Sequence, residues 1–122
     1  TIGDAVMAAF AEPANAARAA LAIQSRVAEF NAAHAANAIT IKLGLHRGEC
    51  IAVTTAGTLD YFGAAVNLAA RLQASATIGH LLTLPDCVGA AEGVASRRAR
   101  RVSAKGVGEI TTIELAPAFP QR

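Results

Sequence analysis

The sequence contains no tryptophan, and aromatic residues make up only 4% of its 122 positions. That scarcity argues against the stacking platforms with which proteins grip single-stranded nucleic acids. Cysteine is scarce too. Cys50 and Cys87 lie far apart, with no CxxC and no Cys/His ligand spacing, so neither a disulfide framework nor a zinc site is expected. Two buried free thiols in a reducing, cytoplasmic compartment are the expectation. No apolar run approaches the length of a membrane-spanning helix. No charged start followed by an apolar stretch reads as a signal peptide. Neither sign of charge dominates: 11 Lys and Arg stand against 9 Asp and Glu, a net charge of +2.

What is present is apolar. Hydrophobic residues account for 53% of the chain, which argues against disorder. Much of that is alanine, so the count overstates the bulk available for a core. The length suits one domain, and no repeat or linker divides it. The chain opens on Thr1-Ile2-Gly3-Asp4, inside an apolar pattern and without an initiator Met. It reads as a piece of something longer.

Ile2–Phe10 has the character of a buried strand carrying one charge, Asp4. A carboxylate at the head of such a strand must be solvated, paired or metal-bound, unless Gly3-Asp4 is simply a turn. Pro13 then opens a long helix to about His34. Ala16, Ala20, Ile23, Val27 and Phe30 predict its buried stripe, with Gln24 off it. Ile39–His46 alternates like a half-buried strand, and Glu49–Thr55 predicts a second one. The short gap between them suggests a hairpin or a bulged bend. Ala56-Gly57-Thr58 is a turn, and Gly63 starts a helix ending near Ser75. Gly79–Leu84 predicts a short strand, Pro85-Asp86 a short helix to about Ala91, and Ser96–Ala104 a basic edge strand. Glu109–Leu115 closes as a strand before a frayed tail. The order predicts a mixed α+β fold with helices over one sheet.

Three features invite chemistry. In the apolar helix after Gly63, Asn67 and Arg71 stand four residues apart and so project from one face. Arg offers a planar fork of donors suited to phosphate, and Asn offers both a donor and an acceptor. A plain surface pair is an equal alternative. Arg97-Arg98-Ala99-Arg100-Arg101 is read as a solvated sheet edge rather than a nucleic-acid patch, because no aromatic residues interleave it. His46 has no locally placed Ser, Cys or Asp to form a triad, and is read as structural.

Four blocks, TIGDAVMAAF at 1–10, GLHRGECIAV at 44–53, DYFGAAVNLAARLQ at 60–73 and AKGVGEITTIEL at 104–115, resemble the class III adenylate/guanylate cyclase catalytic domain. They occur in the family's order and spacing. A Gly followed by V-N-x-A-x-R is the most specific of them. The resemblance implies the ferredoxin-like nucleotide cyclase fold, with helices packed on a mainly antiparallel sheet. It also implies a role for each matching residue. Asp4 matches the second of two aspartates that hold a pair of Mg²⁺ or Mn²⁺ ions. Asp60 falls where the family reads the purine, and aspartate is the adenine-type choice. Asn67 matches the residue that orients the ribose and its attacking hydroxyl. Arg71 matches the one that stabilises charge on the transferring phosphorus, and Lys105 one that contacts the β- and γ-phosphates. The site is implied to form between two catalytic domains, a homodimer. The metal aspartates come from one chain, and Asn, Arg and Lys from the other.

The expected function is therefore formation of cyclic AMP from ATP with release of pyrophosphate, by two-metal catalysis at a dimer interface. A non-catalytic cyclase-homology domain with a regulatory or nucleotide-binding role is the alternative. The family's first metal aspartate, its adenine-reading lysine and its N-terminal strand and helices fall upstream of Thr1. Residues 1–122 alone are therefore expected not to turn over ATP. Neither a nucleic-acid partner nor a membrane segment is expected in this stretch.

Overall fold

A computed structural model of the chain describes residues 5–87, 94–104, 106 and 108–117. In chain order the elements are helix α1 (Pro13–Ala33), strands β1 (Leu43–Leu45), β2 (Ile51–Thr55) and β3 (Thr58–Phe62), helix α2 (Ala64–Ser75), and strands β4 (Leu81–Thr83), β5 (Val94–Ala104) and β6 (Gly108–Pro117). Single 3-10 turns lie at Ala35–Asn37 and Pro85–Cys87. Four strands make one sheet in the order β1-β4-β6-β5, and β2 and β3 make a separate hairpin. β1 runs parallel to β4, whereas β4–β6 and β5–β6 are antiparallel. The expected α+β architecture of helices on a mainly antiparallel sheet holds.

Alternation along β4 sets the layers. Leu81 joins Ala17 and Ala20 of α1, Leu115 of β6 and the partly buried Leu43 and Leu45. Its neighbour Leu82 joins Leu72 and Ala76 with Val102 of β5 and the partly buried Leu68. Successive strand side chains point to opposite faces, so α1 covers one face of the sheet and α2 the other. Leu72, Leu81, Leu82 and Leu115 are fully buried. Each contributes roughly 1.5–3 kcal/mol of transfer free energy. The alanines do not fill this core so much as let the helices approach it.

Several local expectations are corrected. The run after Asp4 is not buried: Ala5 enters an isolated bridge, and Val6, Met7 and Phe10 are exposed. The buried edge of α1 is Ala16, Ala17, Ala20, Leu21 and Gln24, while Ile23 and Phe30 face outward. Gln24 is accepted in the interior because its Nε2 donates to the carbonyl of Gly79 at 2.7 Å, with a longer contact to that of Leu115. The strand expected at 39–46 narrows to β1 and makes no hairpin with β2. β1 pairs instead with β4, and a parallel pair needs a crossover, which the β2–β3 hairpin and α2 supply. β3 is an additional strand, opposite β2 in register from Ile51↔Phe62 to Thr55↔Thr58. Cys50 is exposed rather than buried, Cys87 is buried, and both are free thiols. The expected helix from Pro85 is a 3-10 turn as far as Cys87, and its continuation lies outside the described residues.

Candidate active site

Helix α2 is placed by what its inner face lacks. Gly44 of β1 lies directly under it. A Cβ at Gly44 would fall 2.5 Å from the carbonyl oxygen of Ala69 and against the Gln73 amide. Only glycine lets the helix backbone rest on the strand. Gly63 caps the helix at φ 143°, a backbone region that residues with a side chain rarely enter. Leu72 is buried on the inner face, and Leu68 packs beside it.

The outer face is different. Ala64, Asn67, Ala70, Arg71 and Ala74 are all exposed. Their spacing puts them on one stripe, turned away from the buried Leu72. Small alanines flank Asn67 and Arg71, so the amide and the guanidinium stand one turn apart above a low surface. Among the described residues neither side chain has a hydrogen-bond or ion-pair partner. Their donors remain available to an outside ligand, and a guanidinium is matched to phosphate oxygens.

Asp60 lies mid-strand in β3, three residues before Gly63, opposite Val53. It is exposed, and its Oδ1 accepts from the Tyr61 amide at 2.9 Å. Paired residues share a face, so Asp60 stands with Ile51, Val53 and Phe62, all exposed. No ion pair joins it to Arg71. The structure thus carries Asp60, Asn67 and Arg71 on the hairpin–helix unit, with all three side chains solvated. Asp4 and Lys105 lie outside the described residues.

Among the described residues no group of three or more His, Cys, Asp or Glu side chains converges to hold a metal. The α2 face offers an amide and a cation, a donor set that fits an anion and not a divalent ion. His46 is half-buried at the end of β1, and its Nδ1 is enclosed without a partner among the described residues. An open cleft of about 650 Å³ lies elsewhere, along Ile23, Val27, Phe30 and Ile39. None of the predicted site residues lines it. No helix among the described residues is long and apolar enough to cross a membrane.

The arginine run is in part the solvated edge expected, with Arg98 and Arg101 largely exposed, but Arg100 is half-buried. β5 is the sheet edge, but Arg98 and Arg100 both turn onto Glu114 of β6, each at 2.6 Å. Glu114 is 3% exposed. Burial pushes its carboxyl up, but hydrogen bonds from Thr77 and the Arg100 guanidinium outweigh it and hold it at about 2, below the usual 4.5. Residue-by-residue reading of the sequence missed this cluster. Its signal was parity: Arg98 and Arg100 share one strand face, and of the two acids in the facing strand Glu114 is the one in register with Arg98.

Residues 1–115 match the family model for the adenylate and guanylate cyclase catalytic domain. The chain belongs to this family. Its fold resembles a crystal structure of the catalytic core of a rhodopsin-guanylyl cyclase with converted specificity, in complex with ATPαS. The TM-score is 0.73 at 21% identity, over 94% of this chain and 64% of that one. At that identity the likeness is one of fold, and this cyclase domain spans 64% of the solved core. No curated protein matches the chain.

Proposed function

We propose that this cyclase domain forms cyclic AMP from ATP at an interface between two such domains, a homodimer in the cytoplasm. The observation that carries the proposal is the outer face of α2, where Asn67 and Arg71 stand exposed and unpartnered among the described residues. A polar pair on an open helix face is half of a site, complete only against another surface.

The reaction is an intramolecular displacement. The ribose 3′-oxygen bonds to the α-phosphorus, the bond from that phosphorus to the pyrophosphate oxygen breaks, and the hydroxyl proton is lost to solvent. Such chemistry depends on positioning and on stabilising charge. Asn67 orients the ribose through its amide. Arg71 directs its donors at the charge developing on the α-phosphoryl oxygens. Lys105 contacts the β- and γ-phosphates. An ionised Asp60 only accepts hydrogen bonds, which suits the 6-amino group of adenine and disfavours the 6-oxo group of guanine. Two Mg²⁺ or Mn²⁺ ions, when bound, would be held by the opposing domain with Asp4 among their ligands, and would neutralise charge on the phosphates. The α2 face itself does not fit them.

The test is turnover by the full-length protein, given ATP or GTP and Mn²⁺. Cyclic AMP should form in preference to cyclic GMP. Arg71→Ala should reduce turnover by roughly 10²–10³-fold, the scale of one lost charge-stabilising donor. Unchanged turnover would remove Arg71 from the reaction. No turnover by the wild-type protein would favour the regulatory, nucleotide-binding alternative.

A further inference from the structure

We propose that Glu114 and Arg100 are positioning residues for the reaction, clasping the C-terminal end of α2 so that Arg71 and Asn67 are held at a fixed rotation and height. This inference rests on the proposed role of the α2 face.

The clasp is built from backbone groups that a helix end leaves unpaired. The last carbonyls of α2 have no partner within the helix. Arg100 Nη1 donates to the Ser75 carbonyl at 3.1 Å and to Glu114 Oε2 at 2.6 Å. Glu114 Oε2 also accepts from the Thr77 amide at 3.1 Å, just past the helix. Arg98 Nη2 donates to Oε1 on the other side. A carboxylate beside the negative end of a helix dipole is unfavourable alone, and the guanidinium between them reverses the sign. The clasp stands on β5 and β6, paired along their length from Val94↔Pro117 to Ala104↔Gly108. Ser75 is one turn beyond Arg71, so whatever fixes Ser75 fixes the base of Arg71.

Packing alone would not do this. The inner face of α2 packs Leu68 and Leu72 against Leu82, Val102 and Ile110, and such smooth apolar contacts set the distance of the helix from the sheet better than its rotation. The N-terminal cap, Gly63, makes no side-chain hydrogen bond to the helix. Buried charge is also a poor device for stability, since well-packed apolar replacements are often as stable. An ion pair aimed at two backbone groups supplies direction. Transition-state contacts are sensitive to it, because a displacement of 1 Å can cost on the order of 10²-fold in rate.

The experiment uses the full-length protein, with rates expressed per folded molecule. Steady-state kinetics with ATP are compared for wild type, Glu114→Gln, Arg71→Ala and the double variant. Glu114→Gln should lower kcat by roughly 10-fold or more while KM stays within about twofold, the pattern of an interaction realised in the transition state. In the Arg71→Ala background the same change should cost clearly less than it does in wild type, because one of the two positioned groups is gone and only Asn67 is left to misplace. Arg100→Lys guards against a folding defect. The shorter lysine side chain keeps a charge beside Glu114 but cannot bring its ammonium to where Nη1 bridges Ser75 and Glu114, so kcat should fall with the melting temperature near wild type. Independent, multiplying losses in the double variant would overturn the inference and leave the proposed function standing. So would a lowered melting temperature with unchanged kcat. A fully active Arg71→Ala protein would instead overturn the proposed function, and the inference with it.

Discussion

Two regions of this molecule use charge in opposite ways. Around Glu114, a buried carboxylate is saturated by two arginines and a backbone amide. On the hairpin and the outer face of α2, Asp60, Asn67 and Arg71 are exposed, and the side chains of Asn67 and Arg71 have no hydrogen-bond or ion-pair partner among the described residues. Both regions contain arginine and both lie on one unit of structure, since the first clasps the end of the helix that carries the second. The difference is in what is left over. A saturated group has no bonding capacity for a ligand, and an unsaturated one on the surface keeps all of it. Arginine content therefore says little about function, whereas spare donor capacity says a good deal.

The contrast breaks most visibly at Glu114. Glu114→Ala should destabilise the domain by about 3 kcal/mol, because it removes the buried carboxylate on which Arg98, the part-buried Arg100 and the Thr77 amide converge. Urea unfolding reads this directly, and a loss below about 1 kcal/mol would mean that water replaces the carboxylate freely. Gly44→Ala should cost about 1–3 kcal/mol, since the new methyl meets the backbone of α2. A variant as stable as wild type would show that α2 slides without penalty.

Acid sharpens the same contrast. The Glu114 carboxyl sits at about 2 in the folded protein against 4.5 ordinarily, so the unfolded chain binds its proton first as pH falls. Its stabilisation is present in full above about pH 4.5 and fades between there and pH 2. It amounts to on the order of 3 kcal/mol. Glu114→Gln should flatten the stability profile in that window, and an unaltered slope would assign the acid sensitivity elsewhere. Smaller still is Arg98→Ala, at about 1 kcal/mol or less, because that arginine is 66% exposed. Smallest is Arg71→Ala. Its effect on unfolding should stay within about 0.5 kcal/mol, although the same change should abolish most turnover. A large loss of stability there would make Arg71 a structural residue after all.

Much of the architecture was legible in the residues. Pro13 marked the start of α1, Gly63 that of α2, and the run to Ala104 the edge strand. The four sequence blocks led to the family and to Asn67 and Arg71. Less legible was pairing. Nothing local in Leu43–Leu45 says that its partner is β4, about forty residues on, because a parallel partner is chosen by where the intervening helix packs. Thr58–Phe62 was obscured as a strand by the turn before it and by Asp60 within it. The buried edge of α1 was legible at Ala16 and Ala20 and misread beyond them, because apolar spacing carried the stripe on to Ile23 and Phe30. Alanines and a hydrogen-bonded Gln24 allow closer approach than Ile23 or Phe30 would.

By itself, then, the sequence determined the family, the element order and the i, i+4 spacing of Asn67 and Arg71. Those follow from local chemistry and from periodicity along one helix. Only the tertiary structure decided that this pair faces outward with its donors unspent, while the half-buried Arg100 and the largely exposed Arg98 both donate to Glu114. The physical reason is that hydrogen-bonding capacity is consumed by neighbours in space. Which residues become neighbours depends on the packing of α2 over Gly44 and on the register of β5 against β6.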